Sequence, residues 1–252
     1  IVENGDKLFF NQDQHAQVYD VEIVGSHLGP SYYTVNKGTK LHDLLARIQI
    51  DKNLAEYDSI YLLRKSVALK QKEVLDQSQD RLERSIYFSP SSSTGEASIR
   101  AQESALIADF IVKARKTKPL GKVIVSDQGK IANITLEQGD QIVIPAKSEV
   151  VNIGGEVLVP QAVVINNDAG IEDYVAWAGG YTLRADEDNV VVVRSNGITN
   201  FYSAGDNVLL KGGDKIIVMP KVELKLMQAV KDISQIMFQL AITANAITDL
   251  NN

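Results

Sequence analysis

The chain has 252 residues, 44% of them hydrophobic and 23% charged, which gives room for two small cores and an ordinary globular composition. A formal net charge of -6 weighs against nucleic acid as a partner, because phosphate binding needs a concentrated basic face. With no cysteine there is no disulfide, no thiolate nucleophile and no thiolate metal site.

The chain opens inside a short expected strand at residues 7–10, with neither a starting Met nor an apolar leader, so it reads as a processed or excised piece. Residues 18–24 alternate apolar and polar as a half-buried strand does. A turn over 25–30 and a returning strand over 31–35 follow. At residues 41–48, Leu41, Leu44, Leu45 and Ile48 fall at i, i+3, i+4 and i+7, one face of a short helix. A polar loop leads to an apolar strand at 59–63, closed by Arg64.

Residues 66–118 have a helical composition broken by the Ser/Pro/Gly stretch at 89–95. On its second half Ile99, Leu106, Phe110 and Ala114 share one side. This pattern predicts a helical hairpin inserted into a strand connection, from which Pro119, Leu120 and Gly121 return the chain to a strand at 122–126. Gly139-Asp140 then precedes "QIVIP" and Gly213-Asp214 precedes "KIIVMP", each a tight turn feeding a buried strand that stops at a proline. Gly5-Asp6 gives the same signal at the start of the chain.

Adding 130 to the numbers of residues 21–64 lands on 151–194 without a gap, with about a quarter of positions identical. Val21 meets Val151, Gly25 meets Gly155, Pro30 meets Pro160, Asp43 meets Asp173 and Arg64 meets Arg194. The helical face recurs as Ile171, Tyr174, Val175 and Ala178. Where the first copy has its insert, the second has only the turn Ser195-Asn196-Gly197 leading into "ITNFYS". The fold class is therefore α+β, with two copies of a small sheet crossed by one helix. The domains read as 1–146, with an insert at about 66–118, then 147–221, then a terminal helix over 222–252.

That terminal helix is amphipathic. Leu226, Val230, Ile233, Met237, Leu240, Ala244 and Ile247 lie on one side, and Gln228, Asp232, Gln235, Gln239 and Thr243 on the other. No charge occurs from 233 to 248. A helix over 224–250 would be about 40 Å long, enough to cross a hydrocarbon layer of roughly 30 Å. A lone helix with a glutamine stripe is poorly solvated by lipid, whereas several copies in a ring can turn that stripe to a wet lumen.

The patterns "LEQGDQIVIP", "VNIGGEVLVP" and "IEDYVAWAGGYTLRAD", followed by "ELKLMQAVKDISQIMFQLAI", resemble the outer-membrane polysaccharide export family. Its capsule exporters carry soluble-ligand-binding β-grasp (SLBB) domains. The first copy departs, with "VGSHLGP" where "GGEVLVP" is the pattern, and the export domain that normally precedes the β-grasp domains is not recognisable, which reads as a C-terminal fragment. The resemblance implies two tandem β-grasp domains in a periplasmic ring capped by a helical pore through a Gram-negative outer membrane. Its implied partners are further copies of the chain, a polysaccharide and an inner-membrane polysaccharide co-polymerase, with no cofactor. The terminal glutamine stripe would line the pore and the apolar stripe would face the membrane.

No catalytic constellation is visible. His15, His27 and His42 lie apart in loop, turn and helix contexts, and Asp186-Glu187-Asp188 lacks the alternating oxygen ligands and glycine of a calcium loop. Asn133-Ile134-Thr135 matches a glycosylation triplet but falls in an expected strand. Gly179 and Gly180 could admit a sugar to the backbone with Trp177 or Tyr181 as a stacking surface, or they could simply cap the helix. Arg47 stands where Trp177 stands in the other copy, which favours the cap. The leading reading is a non-enzymatic exporter subunit. Its rival is a soluble periplasmic carbohydrate-binding module docking on a separate channel, with the terminal helix used for packing.

Overall fold

The computed structural model describes residues 17–87, 94–127, 129–203, 205–221, 233, 235 and 236. The expected strand at 7–10, His15 and most of the terminal stripe lie outside them. These include Leu226, Gln228, Val230, Asp232, Met237, Gln239, Leu240, Thr243, Ala244 and Ile247.

The first sheet begins with β1 (Val18–Gly25), which pairs antiparallel with β2 (Tyr32–Asn36). Helix α1 (Leu41–Leu45) crosses one face, and a 3-10 turn (Tyr57–Ser59) leads to β3 (Tyr61–Leu63). The chain then leaves as α2 (Lys65–Tyr87) and α3 (Thr94–Arg115) and returns as β4 (Lys122–Ile124). A two-strand ribbon of β5 (Ser126–Asp127) and β6 (Lys130–Ile131) precedes β7 (Gln141–Ile144). The second sheet runs β8 (Val150–Gly155), β9 (Gln161–Val164), α4 (Ile171–Trp177), β10 (Ala185–Val193), β11 (Thr199–Tyr202) and β12 (Lys215–Pro220).

The strand orders are β2-β1-β7-β3-β4 and β9-β8-β12-β10-β11. Read in parallel, the two sheets are one topology. Each centres on a parallel pair, β1 with β7 and β8 with β12, flanked by antiparallel neighbours. A parallel pair cannot be joined by a tight turn, so a long crossover is obligatory, and each sheet places its short helix within it.

Alternation explains the cores. Val21 and Ile23 of β1 and Ile142 and Ile144 of β7 point inward with Leu41, Leu44, Leu45 and Ile48. In the second sheet Val151, Ile153, Ile216 and Val218 meet Ile171, Tyr174, Val175 and Ala178. Both helical faces expected from the sequence are the buried faces. Fully burying a side chain of this size contributes about 1.5–3 kcal/mol.

Several details differ from the sequence pattern. The β10 strand starts at Ala185 rather than at Asn189, where the offset of 130 carries the expected strand at 59–63, and its pairing with β12 shifts register between Asp186 and Val190. The irregularity lets Glu187, Asp188 and Asn189 join the strand without partners on β12, while Asp186 still pairs with Met219. There Asp186 binds Asn189 Nδ2 at 2.8 Å and the Asp188 amide at 3.2 Å, so the acidic run is bound to itself. Asn133 lies outside any strand, and its Oδ1 accepts the His42 amide at 3.1 Å at the start of α1. In the hairpin, Ile107, Ile111 and Ala114 are buried while Phe110 is only partly so, a face turned slightly from the one read in sequence.

Candidate functional site

Each sheet is closed by the same buried ion pair. Arg64, just after β3, donates from Nε and Nη2 to Asp140 at 2.9 and 2.8 Å and from Nη2 to the Thr135 carbonyl at 2.9 Å. Arg194, just after β10, donates to Asp214 at 2.5 Å and to the Leu209 carbonyl at 2.9 Å. Both aspartates are 1% exposed. Each also accepts a backbone amide three residues before it, from Glu137 at 2.7 Å and from Lys211 at 2.8 Å. Both Gly-Asp turns therefore use the aspartate as an anchor for a strand-ending arginine. Hydrogen bonding to Asp140 holds the Arg64 guanidinium above its ordinary pKa. Burial raises the Asp214 carboxyl even though Arg194 and the Lys211 amide pull it down.

A second shared device is a glycine pressed on the central strand. A Cβ on Gly25 would lie 2.2 Å from the Ile144 carbonyl oxygen, and one on Gly155 would lie 2.1 Å from that of Val218. Both have positive φ, 99° and 79°. Only glycine can close this turn without displacing backbone.

The residues singled out for sugar contact sit together at the end of α4. Gly179 and Gly180 have φ of 84° and 94°, and their amides bond to the carbonyls of Ala176 at 3.0 Å and Val175 at 2.9 Å. They do the work of a helix C-cap. Trp177 is 44% exposed and meets Tyr174 edge-on, with ring centroids 5.0 Å apart, while its carbonyl accepts Gln161 Nε2. Beside it, the amides of Leu158 and Val159 bond to the carbonyls of Gly180 and Ala178, and both side chains are exposed. The Tyr181 hydroxyl is buried without a partner among the described residues, and burial raises its pKa, assisted by Glu187 and Glu172. The first copy has Arg47 at the Trp177 position, so this apolar shelf belongs to the second sheet only.

A third assembly was not legible in the sequence. Ile233 and Ile236 of the terminal stretch are buried against Leu75 and Leu82 of α2 and Ile107, Ile111 and Ala114 of α3. Gln235 stays exposed, and Arg81 Nη2 donates to its Oε1 at 3.5 Å. The apolar stripe of the terminal helix could signal burial, but not against what.

The histidines with described positions are bound locally: His42 Nε2 lies 2.8 Å from the Ile131 carbonyl and His27 Nδ1 3.2 Å from that of Gly25. Among the described residues no group of three His, Cys, Asp or Glu could hold a metal ion. Nor is any helix there long and apolar enough to cross a membrane.

Two sheets of one topology, with an inserted helical pair against which Ile233 and Ile236 pack, make up the described scaffold. No family model matches the chain. Two curated relatives from Escherichia coli, each named polysialic acid transport protein KpsD, are 36% identical to it over 250 residues, 99% of this chain. That similarity runs in the same direction as the resemblance of its motifs to the outer-membrane polysaccharide export family. It spans 44% of the length of those relatives.

Proposed function

We propose that the chain is part of a non-enzymatic polysaccharide exporter of the outer membrane, working from the periplasm of a Gram-negative cell. The kinship with transport proteins named for polysialic acid, over nearly the whole chain, carries this reading. The substrate is a capsular or extracellular polysaccharide, and the partners are further copies of the chain and an inner-membrane polysaccharide co-polymerase.

In this reading residues 1–146 and 147–221 are two tandem β-grasp domains that pack into a ring. The parallel central pairs and the repeated ion-pair clips support this by giving two sheets of one topology closed in the same way. Residues 222–252 form the amphipathic helix that crosses the membrane once several copies gather. Gln228, Asp232, Gln235, Gln239 and Thr243 line a wet lumen, while Leu226, Val230, Ile233, Met237, Leu240, Ala244 and Ile247 face lipid. A lumen of mostly uncharged polar groups lets a hydrated, often anionic polymer slide without a deep binding well. Trp177, Gly179, Gly180 and Tyr181 offer a weak sugar-stacking shelf at most, because the glycines are already committed to the helix cap.

The burial of Ile233 and Ile236 on the hairpin favours a second reading, a periplasmic carbohydrate-binding module that docks on a separate channel with the terminal helix permanently packed. Replacing Gln235 and Gln239 by leucine in the full-length protein distinguishes the two. Surface polysaccharide should fall several-fold if the stripe lines a pore, with the sheets still folded by circular dichroism. Unchanged export would overturn the luminal assignment.

A further inference from the structure

The terminal stretch faces two fates that exclude each other. The side of it that would meet lipid, marked by Ile233, is the side that the structure buries, at 8% exposure for Ile233 and 0% for Ile236. Gln235, on the glutamine side of the pattern, is exposed and accepts a hydrogen bond from Arg81. At these three residues the docking matches the amphipathic pattern, the isoleucines inward and the glutamine to water. What receives it is the groove between α2 and α3, the two helices of the insert that the second sheet lacks. Those helices are braced independently of the terminal stretch. Arg115 of α3 pairs with Asp80 at 3.0 Å and Glu83 at 2.7 Å of α2, and Lys72 Nζ donates to the Arg115 carbonyl at 3.3 Å. The groove can therefore persist when emptied.

The groove also carries a built-in flaw. Gln79 of α2 is fully buried, and neither its Nε2 nor its Oε1 has a hydrogen-bond partner among the described residues. Its neighbours one turn to either side, Leu75 and Leu82, are core members of the groove. A buried amide with no partner opposes the burial that creates it. Water reaching the groove would satisfy that amide, so undocking recovers part of what exposing the isoleucines loses.

We propose that the inserted helical hairpin is a reversible holding site for the chain's own terminal stretch. It covers the apolar face of Ile233 and Ile236 in the unassembled subunit and releases it when the subunit enters the membrane. The inference rests on the pore reading of the terminal helix. It assigns the insert a task, and it explains how a helix with a membrane-facing stripe avoids aggregation before assembly.

The test uses the full-length protein; these 252 residues contain no cysteine, and any outside them is first replaced by serine. Arg81→Cys and Gln235→Cys are spin-labelled together, both sites being exposed at the groove rim. Strong dipolar broadening is expected in the aqueous protein diluted with unlabelled copies. The broadening should be lost on reconstitution into vesicles of phosphatidylethanolamine and phosphatidylglycerol. Ile236→Gln should abolish it in water, and Gln79→Leu should slow its loss on vesicle addition by roughly tenfold. Absence of broadening in water would overturn the holding site, and if those vesicles still conduct ions the pore reading stands without it. Broadening that persists in vesicles, with no conductance, would overturn both. An unaltered release rate in Gln79→Leu would overturn the part assigned to that amide.

Discussion

The two sheets carry one topology and one set of clamps, yet they spend the same connection differently. Between β10 and β11 the second sheet needs only a tight turn, with Gly197 at φ 95°. Between β3 and β4 the first sheet sends the chain out through two helices of 23 and 22 residues and brings it back. Both edges remain paired in the same sense, so the insertion is absorbed where it disturbs no ladder. The lesson is that the clips fix the scaffold and leave this connection free to acquire a task.

The seam between the copies shows the same economy. The Asn196 side chain in the short turn donates to the Ser126 carbonyl at 2.8 Å, and Lys122 at the start of β4 lies beneath Gly197 with its ammonium 3.8 Å from the centre of the Tyr61 ring. Burial, reinforced by Lys215, lowers the Lys122 pKa to about 8.

The largest expected effect comes from breaking the clips. Asp214→Ala should destabilise by about 3–5 kcal/mol, since it strands a partly buried guanidinium. Asp140→Ala should cost less, because Arg64 keeps Glu137 at 2.9 Å whereas Arg194 has no second carboxylate among its described partners. Urea unfolding of the two variants checks the order, and equal losses would contradict it. Next come the pressed glycines. Gly25→Ala and Gly155→Ala should each lose about 2–4 kcal/mol from strain and collision. Gly180→Ala shares the positive φ but has open space around its Cβ position, and should lose only about 1–2 kcal/mol.

A smaller effect is expected from replacing residues 66–118 by Ser-Asn-Gly, the turn of the second copy. Helical circular dichroism should drop sharply while both sheets unfold at nearly unchanged denaturant concentration. Loss of the first sheet's transition would show that the insert is part of its core. The smallest effect concerns Lys122→Met. Because the folded pKa lies below the ordinary lysine value of 10.5, the unfolded chain binds more protons between about pH 8 and 10.5. Stability from this group is therefore lost as pH falls through that window and regained as pH rises. The variant should be slightly more stable than the parent at pH 7, with the advantage shrinking toward pH 10.5 in thermal melts.

Much of this comparison could be read from the residues. The alternation of Val21 and Ile23, the i, i+3, i+4, i+7 faces of α1 and α4, the glycine turns and the position of the insert all follow local periods, and local periods survive in a sequence. The clip did not, although Arg64 and Asp140 were each marked as strand punctuation, because 76 positions separate them and pattern carries no register at that range. The ribbon of β5 and β6 was missed because two-residue strands have no period to detect. Of the site residues, the capping role of Gly179 and Gly180 was legible as an alternative. The docking of Ile233 and Ile236 was not, since an amphipathic stripe gives the direction of burial and not its partner.

As proposed above, two sheets of one topology carry a terminal segment that leaves the hairpin to line a pore. Imaging the full-length protein in lipid nanodiscs by electron cryomicroscopy tests it most directly. The account expects a closed ring of copies with residues 226–247 crossing the bilayer and Gln235 and Gln239 turned to the lumen. A single copy with Ile233 and Ile236 still seated between α2 and α3 would contradict it.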